Sequence, residues 1–136
     1  MSARQNDQRR IGEIWHAIEQ LERRLRNGPI GKPVLVNPQN ELEEMAAAGI
    51  VYSVQRILEE VVALSDGTKV SFPGYEWNEI RGMRNRLVHD YTGTDFEFVW
   101  DAIQHEIPKL RQLCLDFCDL HGLSVDQIAP DDRPRP

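Results

Sequence analysis

The sequence predicts an all-α protein, an up-and-down bundle of four to five helices. Apolar residues recur at the three- and four-residue spacing of an amphipathic helix along four segments of the 136 residues. Stretches that contain Gly, Pro, Asn or Asp separate these segments. No run longer than a few residues alternates as a half-buried strand does, and no internal repeat is visible. A sheet or a repeat array is therefore not expected.

The first predicted helix covers residues 7–27. Its apolar side chains form one stripe, which consists of Ile11, Ile14, Trp15, Ile18, Leu21 and Leu25. The sequence Asn27-Gly28-Pro29 is typical of a helix end. Residues 28–37 contain Gly31 and Pro33 and are predicted to form a loop.

Asn37 and Pro38 predict the start of the second helix, with Asn37 as the N-cap and Pro38 in the first position. Apolar residues between Leu42 and Leu64 occupy more than one face, which predicts a central helix that touches several others. The sequence Ser65-Asp66-Gly67 is expected to end it, and residues 66–74 are predicted to form a loop.

A third helix is predicted over residues 75–91. Its apolar stripe consists of Trp77, Ile80, Leu87, Val88 and Tyr91. Thr94 and Glu97 have the spacing of a capping box, so a fourth helix is expected to follow at once. Pro108 predicts a kink or a restart in this last helix.

The C-terminal part is predicted to hold one further short turn and a tail. Gly122 favours the end of the fourth helix, and Ser124 favours the start of another turn. Residues 1–128 are expected to form a single helical domain. Residues 129–136 hold three Pro and four charges, which predicts a disordered tail.

Composition excludes several classes of protein. The net charge of −6 and the pI of about 5.2 argue against a protein that coats nucleic acid through bulk charge, although a local basic site stays open. Thirteen of the 16 basic residues are Arg, which suits phosphate but also carboxylate pairs. Two Cys do not form a disulfide scaffold, and no apolar run could span a membrane. We expect a cytoplasmic protein.

Arg84 is the first candidate functional residue. It follows Trp77 by seven positions and precedes Tyr91 by seven, so it lies on the apolar stripe of the third helix. An Arg in that position must form an ion pair, bind a ligand or lie at an interface. An ion pair with a residue such as Glu59 or Glu60 is the structural alternative to a site.

His89 is the second candidate, because a histidine that titrates near neutrality can act as a general acid or base. Five residues separate it from Arg84, which places the two side chains about 140° apart on a straight helix. They can meet if the helix unwinds near His89 or if a second copy of the chain supplies the partner. A helix-end His that bonds to free carbonyl groups is the structural alternative.

Cys114, Cys118 and His121 share one face of the last helix, and His105 lies upstream. This pattern could form a zinc site, but no fourth ligand is evident and Cys is common in apolar stripes. We therefore predict no metal.

The run Arg84-x-x-x-x-His89-x-Tyr91 resembles the Arg-x4-His-x-Tyr motif of HepT-like toxins, which are ribonucleases of the HEPN superfamily. The flanking residues 77–85 and the sequence Ile107-Pro108-Lys109-Leu110 agree with that family. The resemblance extends from about Val54 to Leu113, and the N-terminal part is similar only in its helical character.

The resemblance implies a HEPN-like bundle that forms a homodimer and cleaves RNA, with tRNA among the candidate substrates, without a metal or other cofactor. It implies that Arg84 and His89 are catalytic and that Asn85 assists them. It also implies an antitoxin, an MNT-type nucleotidyltransferase of a type VII-like pair, which adenylylates the motif Tyr, here Tyr91.

Two other functions stay open at this point. The first is a catalytically silent HEPN-type module that binds a nucleotide or a partner through the same dimer cleft. The second is a structural bundle in which Arg84 forms a buried salt bridge. The presence of both Arg84 and His89 favours the nuclease.

Overall fold

The structure is a computed structural model that describes residues 2–28, 30–89 and 95–130. All regular elements in these residues are helical, which confirms the predicted all-α class. In chain order they are α1 (Ala3–Asn27), α2 (Lys32–Val36), α3 (Glu41–Val62), α4 (Asp66–Ser71), α5 (Trp77–His89), α6 (Phe96–Asp101), a π-helical segment (Ala102–Glu106), α7 (Ile107–His121) and α8 (Val125–Ile128).

The long helices run up and down, as the sequence predicts. Ion pairs of Arg10 with Glu60 at 3.0 Å and of Glu13 with Arg56 at 3.1 Å fix α1 and α3 in antiparallel register. α1 also packs against α7, whereas α3 packs against α1, α2 and α5. The predicted central position of the second long helix is thus confirmed.

The core lies between α1, α3 and α7. Its largest fully buried side chains include Ile11, Ile14, Ile18, Leu21, Ile57, Leu58, Leu110, Leu113 and Phe117. Burial of one such side chain contributes about 1.5–3 kcal/mol, so this packing is the main stabilising term of the bundle.

Two short helices lie where the sequence analysis expects loops. α2 falls within residues 28–37 and α4 within residues 66–74, so the prediction of plain loops is wrong. Elements of five and six residues are too short to show a helical period in sequence. Tertiary contacts stabilise them instead, as Leu35 of α2 shows by its complete burial in the core.

A buried carboxylate holds α4 in place. Asp7 of α1 is only 2% exposed and accepts hydrogen bonds from the Ser65 backbone N–H and from the hydroxyl groups of Ser65 and Thr68. Lys69 Nζ donates to the carbonyl oxygen of Val62 at 2.8 Å, and Trp77 Nε1 donates to the carbonyl oxygen of Lys69 at 3.1 Å. These bonds fix the start of α5 beside the end of α3.

α1 begins at Ala3, after the N-cap Ser2, and not at the predicted residue 7. Two further predicted helix starts also differ from the structure. The N-cap of α3 is Asn40, whose side chain accepts from the Glu43 N–H at 2.9 Å, and not Asn37. The N-cap of α6 is Asp95, whose carboxylate accepts from the Glu97 N–H, so the predicted capping box does not set this start. In both cases a capping side chain next to the first helical residue determines the boundary.

Pro108 does interrupt the last long helix, and the interruption is the π-helical segment Ala102–Glu106. A wider π turn relieves the clash that a proline ring makes with the carbonyl of the preceding turn. α7 then ends at Gly122, which has the left-handed conformation favoured there (φ 67°).

α8 confirms the turn predicted after Ser124 and packs on α1. The contact needs Gly12, since a Cβ atom there would lie 2.0 Å from the Ile128 carbonyl oxygen. Of the predicted tail, residues 131–136 lie outside the described residues. No helix in the described part of the chain is long and apolar enough to span a membrane.

Candidate functional site on helix α5

α5 lies at the edge of the bundle with a polar face outward. Of the described elements, only α3 makes extensive contact with it, through a side that includes the buried Ile80 and Leu87. The exposed residues of α5 are Asn78, Glu79, Arg81, Gly82, Asn85, Arg86 and His89. Such a face has no role in the core of a single chain.

Arg84 lies on the border between these two sides. Its guanidinium Nε is buried and has no hydrogen-bond partner among the described residues. A buried polar group without a partner is costly, which makes it a candidate for binding a ligand or a second chain.

The salt-bridge alternative for Arg84 is wrong for the described part of the chain. Glu60 pairs with Arg10 at 3.0 Å, and the Glu59 carboxylate accepts from Gln55 Nε2 at 3.3 Å. Neither of these carboxylates pairs with Arg84.

Arg86, two residues further on, has the opposite environment. It pairs with Asp95 at 3.2 Å, and its guanidinium lies 4.1 Å from the ring centroid of Phe98. It therefore joins the end of α5 to the start of α6, on either side of residues 90–94. This role of Arg86 was not predicted, because the only sign of it in the sequence is the nine-residue spacing to Asp95.

Asn85 and His89 are exposed, and neither side chain forms a hydrogen bond to a described residue. The reading of His89 as a group that bonds to helix-end carbonyls therefore has no support in these residues. α5 is α-helical through His89, which removes the possibility that the helix unwinds before it. On a regular helix Arg84 and His89 point about 140° apart, so one chain does not bring them together.

Tyr91 lies outside the described residues. The third helix, predicted over residues 75–91, is described from Trp77 to His89. The proposed modification site therefore stays a prediction.

The alternative zinc site on α7 is not formed. Cys114 and Cys118 are buried in the core, and the Cys114 thiol lies 3.8 Å from the carbonyl oxygen of Ile11, to which it can donate. Burial raises the pKa of both thiols, so the thiolate needed for zinc is disfavoured. The His121 ring packs against Phe117 at 4.4 Å between centroids. Among the described residues no cluster of three His, Cys, Asp or Glu could hold a metal ion.

Comparison with known proteins identifies the class. The profile of the HepT-like ribonuclease family matches residues 14–116, which run from within α1 to within α7. The chain belongs to this family.

Individual relatives are similar over somewhat less than half of the chain. A protein of Methanocaldococcus jannaschii, provisionally named as an RNase, is 33% identical over 67 residues, which are 46% of this chain and 62% of the relative. A provisionally named RNase of Caldanaerobacter subterraneus is 36% identical over 62 residues, 46% of this chain and 55% of its own length. A protein of Thermococcus cleftensis, named as a probable ribonuclease HepT, is 31% identical over 64 residues, 44% and 58% of the two chains.

The chain thus spans less than two thirds of the length of the relatives it matches. No solved structure matches it significantly.

Proposed function

We propose that this protein is a metal-independent endoribonuclease toxin that acts as a homodimer, with Arg84, Asn85 and His89 in its active site. One observation carries the proposal. In a family of ribonucleases, Arg84 has a buried, unpartnered guanidinium nitrogen on the same helix as the exposed Asn85 and His89. These groups have no partner in the described chain, so they are available to RNA and to a second copy.

The chemistry suits these residues without a metal ion. The ribose 2′-oxygen forms a bond to phosphorus while the bond from phosphorus to the 5′-oxygen breaks. His89 takes the proton from the 2′-hydroxyl or gives a proton to the 5′-oxygen. The Arg84 guanidinium stabilises the charge that develops on the phosphate, and Asn85 adds a hydrogen bond to it or orients the histidine. The products are a 2′,3′-cyclic phosphate and a 5′-hydroxyl.

The divergence of Arg84 and His89 on α5 supports a dimer. If two copies pair along α5 about a two-fold axis, Arg84 of one copy can face His89 of the other in one cleft. Sedimentation at micromolar concentration should then give a dimer. A monomer that still cleaves RNA would exclude the shared cleft.

RNA cleavage with end analysis tests the activity itself. The purified protein should cut single-stranded RNA in the presence of a chelator and leave 2′,3′-cyclic phosphate ends. Loss of cleavage in the chelator, with recovery on adding a divalent ion, would contradict the mechanism. No cleavage of any RNA by the wild-type dimer would instead favour the silent binding module.

The resemblance adds a partner to this proposal, an MNT-type nucleotidyltransferase antitoxin of a type VII-like pair that adenylylates Tyr91. An attached nucleotide would place bulk and negative charge beside Arg84 and His89 and so exclude an RNA phosphate. Tyr91→Phe should keep cleavage but escape neutralisation. Mass spectrometry of the chain co-expressed with the antitoxin should find added AMP on the peptide that contains Tyr91. A neutralised complex with unmodified Tyr91 would show that inhibition needs binding alone.

A further inference from the structure

A groove of about 540 Å³ lies between the end of α1 and the first half of α3. Arg23, Arg24 and Asn27 supply polar groups, whereas Ile30, Ala46 and Ile50 form an apolar floor. Cationic groups beside an apolar surface match the two parts of a nucleotide, its phosphate and its base.

No described residue supplies an acidic partner to the basic groups at this groove. The acidic side chains near the middle of α1 do form ion pairs, Glu13 with Arg56 and both Glu19 and Glu22 with Arg111. Among the described residues Arg23 forms no ion pair, and Arg24 makes only a 3.4 Å contact with the hydroxyl of Ser53. In a chain with a net charge of −6, this is a local positive site that can attract a phosphate.

Two glycines, Gly28 and Gly49, line the groove. Gly49 lines it from the middle of α3, where a glycine destabilises a helix relative to alanine. No atom lies within 4 Å of a Cβ built at Gly49, so packing within the described chain does not require a glycine. On the opposite wall a Cβ at Gly28 would lie 2.7 Å from the Arg24 carbonyl oxygen. A side chain at position 49 would therefore extend into the open space of the groove.

The groove and the α5 site lie at the same end of the bundle. α1 and α5 both end there, and the antiparallel α3 begins there. Since α1 and α5 both pack against α3, the exposed face of α3 lies between them. That face carries Met45 and Tyr52, which are 72% and 66% exposed, on the same side as Gly49. Tyr52 offers a ring on which a base can stack.

We propose that this groove binds one nucleotide of the RNA strand that reaches the α5 site, with its phosphate on Arg23 and Arg24 and its base on the apolar floor. The proposal rests on the proposed ribonuclease function and adds to it a substrate subsite remote from the reacting phosphate. The exposed face of α3 then guides the strand from this subsite toward α5. Single-stranded RNA is the fitting substrate, because its bases are free to leave a duplex stack.

The test measures binding of a fluorescent 2′-O-methyl oligouridylate, which cannot be cut through its 2′-oxygen. The double variant Arg23→Gln/Arg24→Gln should weaken binding about tenfold and reduce the slope of log affinity against log salt by about 0.7, because the neutralisation of one phosphate is lost. The matched control is Arg4→Gln/Arg9→Gln, which removes two exposed charges at the other end of α1 that pair with no described residue.

A second pair of variants tests whether binding needs the open space of the groove, in addition to the charges of Arg23 and Arg24. Gly49→Leu should fill the groove and weaken binding while the thermal unfolding midpoint stays at or above that of wild type. Ala63→Leu, an equivalent change at an exposed position at the far end of α3, should leave binding unchanged.

The outcomes separate this proposal from the proposed function. If wild type binds and cuts RNA but the groove variants bind like their controls, the groove is not a subsite and the ribonuclease assignment stands. If the groove variants keep RNA affinity but sediment as smaller species, the groove is a protein interface and the proposal is overturned. If wild type neither binds the probe nor cuts RNA, both proposals fail.

Discussion

Helices α5 and α7 both carry side chains capable of chemistry, but those of α7 face the core and those of α5 face outward. Cys114 and Cys118 of α7 are buried among aliphatic groups, and His121 packs on a ring of its own helix. On α5, Asn85 and His89 are exposed without partners in the described chain. Helical spacing of reactive side chains therefore does not by itself predict a site. Buried side chains, as on α7, belong to the core, whereas exposed side chains, as on α5, are available to a ligand.

The largest expected effect is a difference in cleavage rate between variants of two exposed histidines, His89 and His105. His89→Ala removes the proposed proton-transfer group and should lower the cleavage rate by about 10²- to 10⁴-fold. His105→Ala, on the π-helical segment, is the matched control and should leave the rate unchanged. Single-turnover cleavage of RNA by both variants measures this difference. Equal rates for the two variants would remove His89 from the site.

The next effect separates two arginines of α5. Arg84→Ala should lower cleavage by roughly 10²- to 10³-fold through lost charge stabilisation, with little change in folding stability. Arg86→Ala breaks the pair with Asp95 and the contact with Phe98, which should cost about 1 kcal/mol of stability. Cleavage assays measure the rate of each variant, and urea unfolding measures its folding stability. If Arg84→Ala is instead the destabilising change, then Arg84 has a structural role.

A smaller effect concerns the thiols of α7. Because burial raises the pKa of Cys114 and Cys118, neither should be alkylated by iodoacetamide at pH 8 while the protein is folded. Both should react promptly in urea. Rapid labelling of the folded protein, or a stabilisation by zinc, would mean that α7 is more open than the structure describes.

The smallest effect is a pH dependence of stability. Tyr75 OH donates to the Asp116 carboxylate at 3.3 Å, and burial together with that charge raises the pKa of Tyr75 to about 12. Because the pKa of Tyr75 is raised in the folded state, its contribution to the free energy of unfolding is fully present below pH 10 and is lost as the pH rises from 10 to 12. The Tyr75→Phe variant should not show this loss of stability between pH 10 and 12, because it has no phenol group to ionise. Urea unfolding of both proteins across that range measures it, and identical pH profiles would contradict the assignment.

The long helices could be predicted from the sequence because their apolar periods extend over many turns. α2, α4 and the cap at Asn40 could not, since each depends on a local or tertiary contact. The anchor of α4, for example, is Asp7, 58 residues before Ser65.

In the candidate site, too, features that depend on tertiary contacts could not be predicted from the sequence. The sequence places Arg84 on the apolar stripe of its helix, and its buried Nε agrees with this. The absence of an ion pair between Arg84 and Glu60 could not be predicted from the sequence, because Glu60 pairs with Arg10, which lies 50 residues earlier in the chain. The groove at Arg23 and Arg24 was also not predicted, since it forms only when the end of α1 meets α3.

Complementation between two inactive variants tests the central claim most directly, namely that Arg84 of one copy and His89 of another form one site. Arg84→Ala and His89→Ala chains are mixed, their subunit exchange is verified with tagged copies, and RNA cleavage is measured. A shared site predicts recovery to about a quarter of the wild-type rate, because half of the dimers are mixed and each holds one complete pair. A mixture that exchanges subunits but stays inactive would contradict the account.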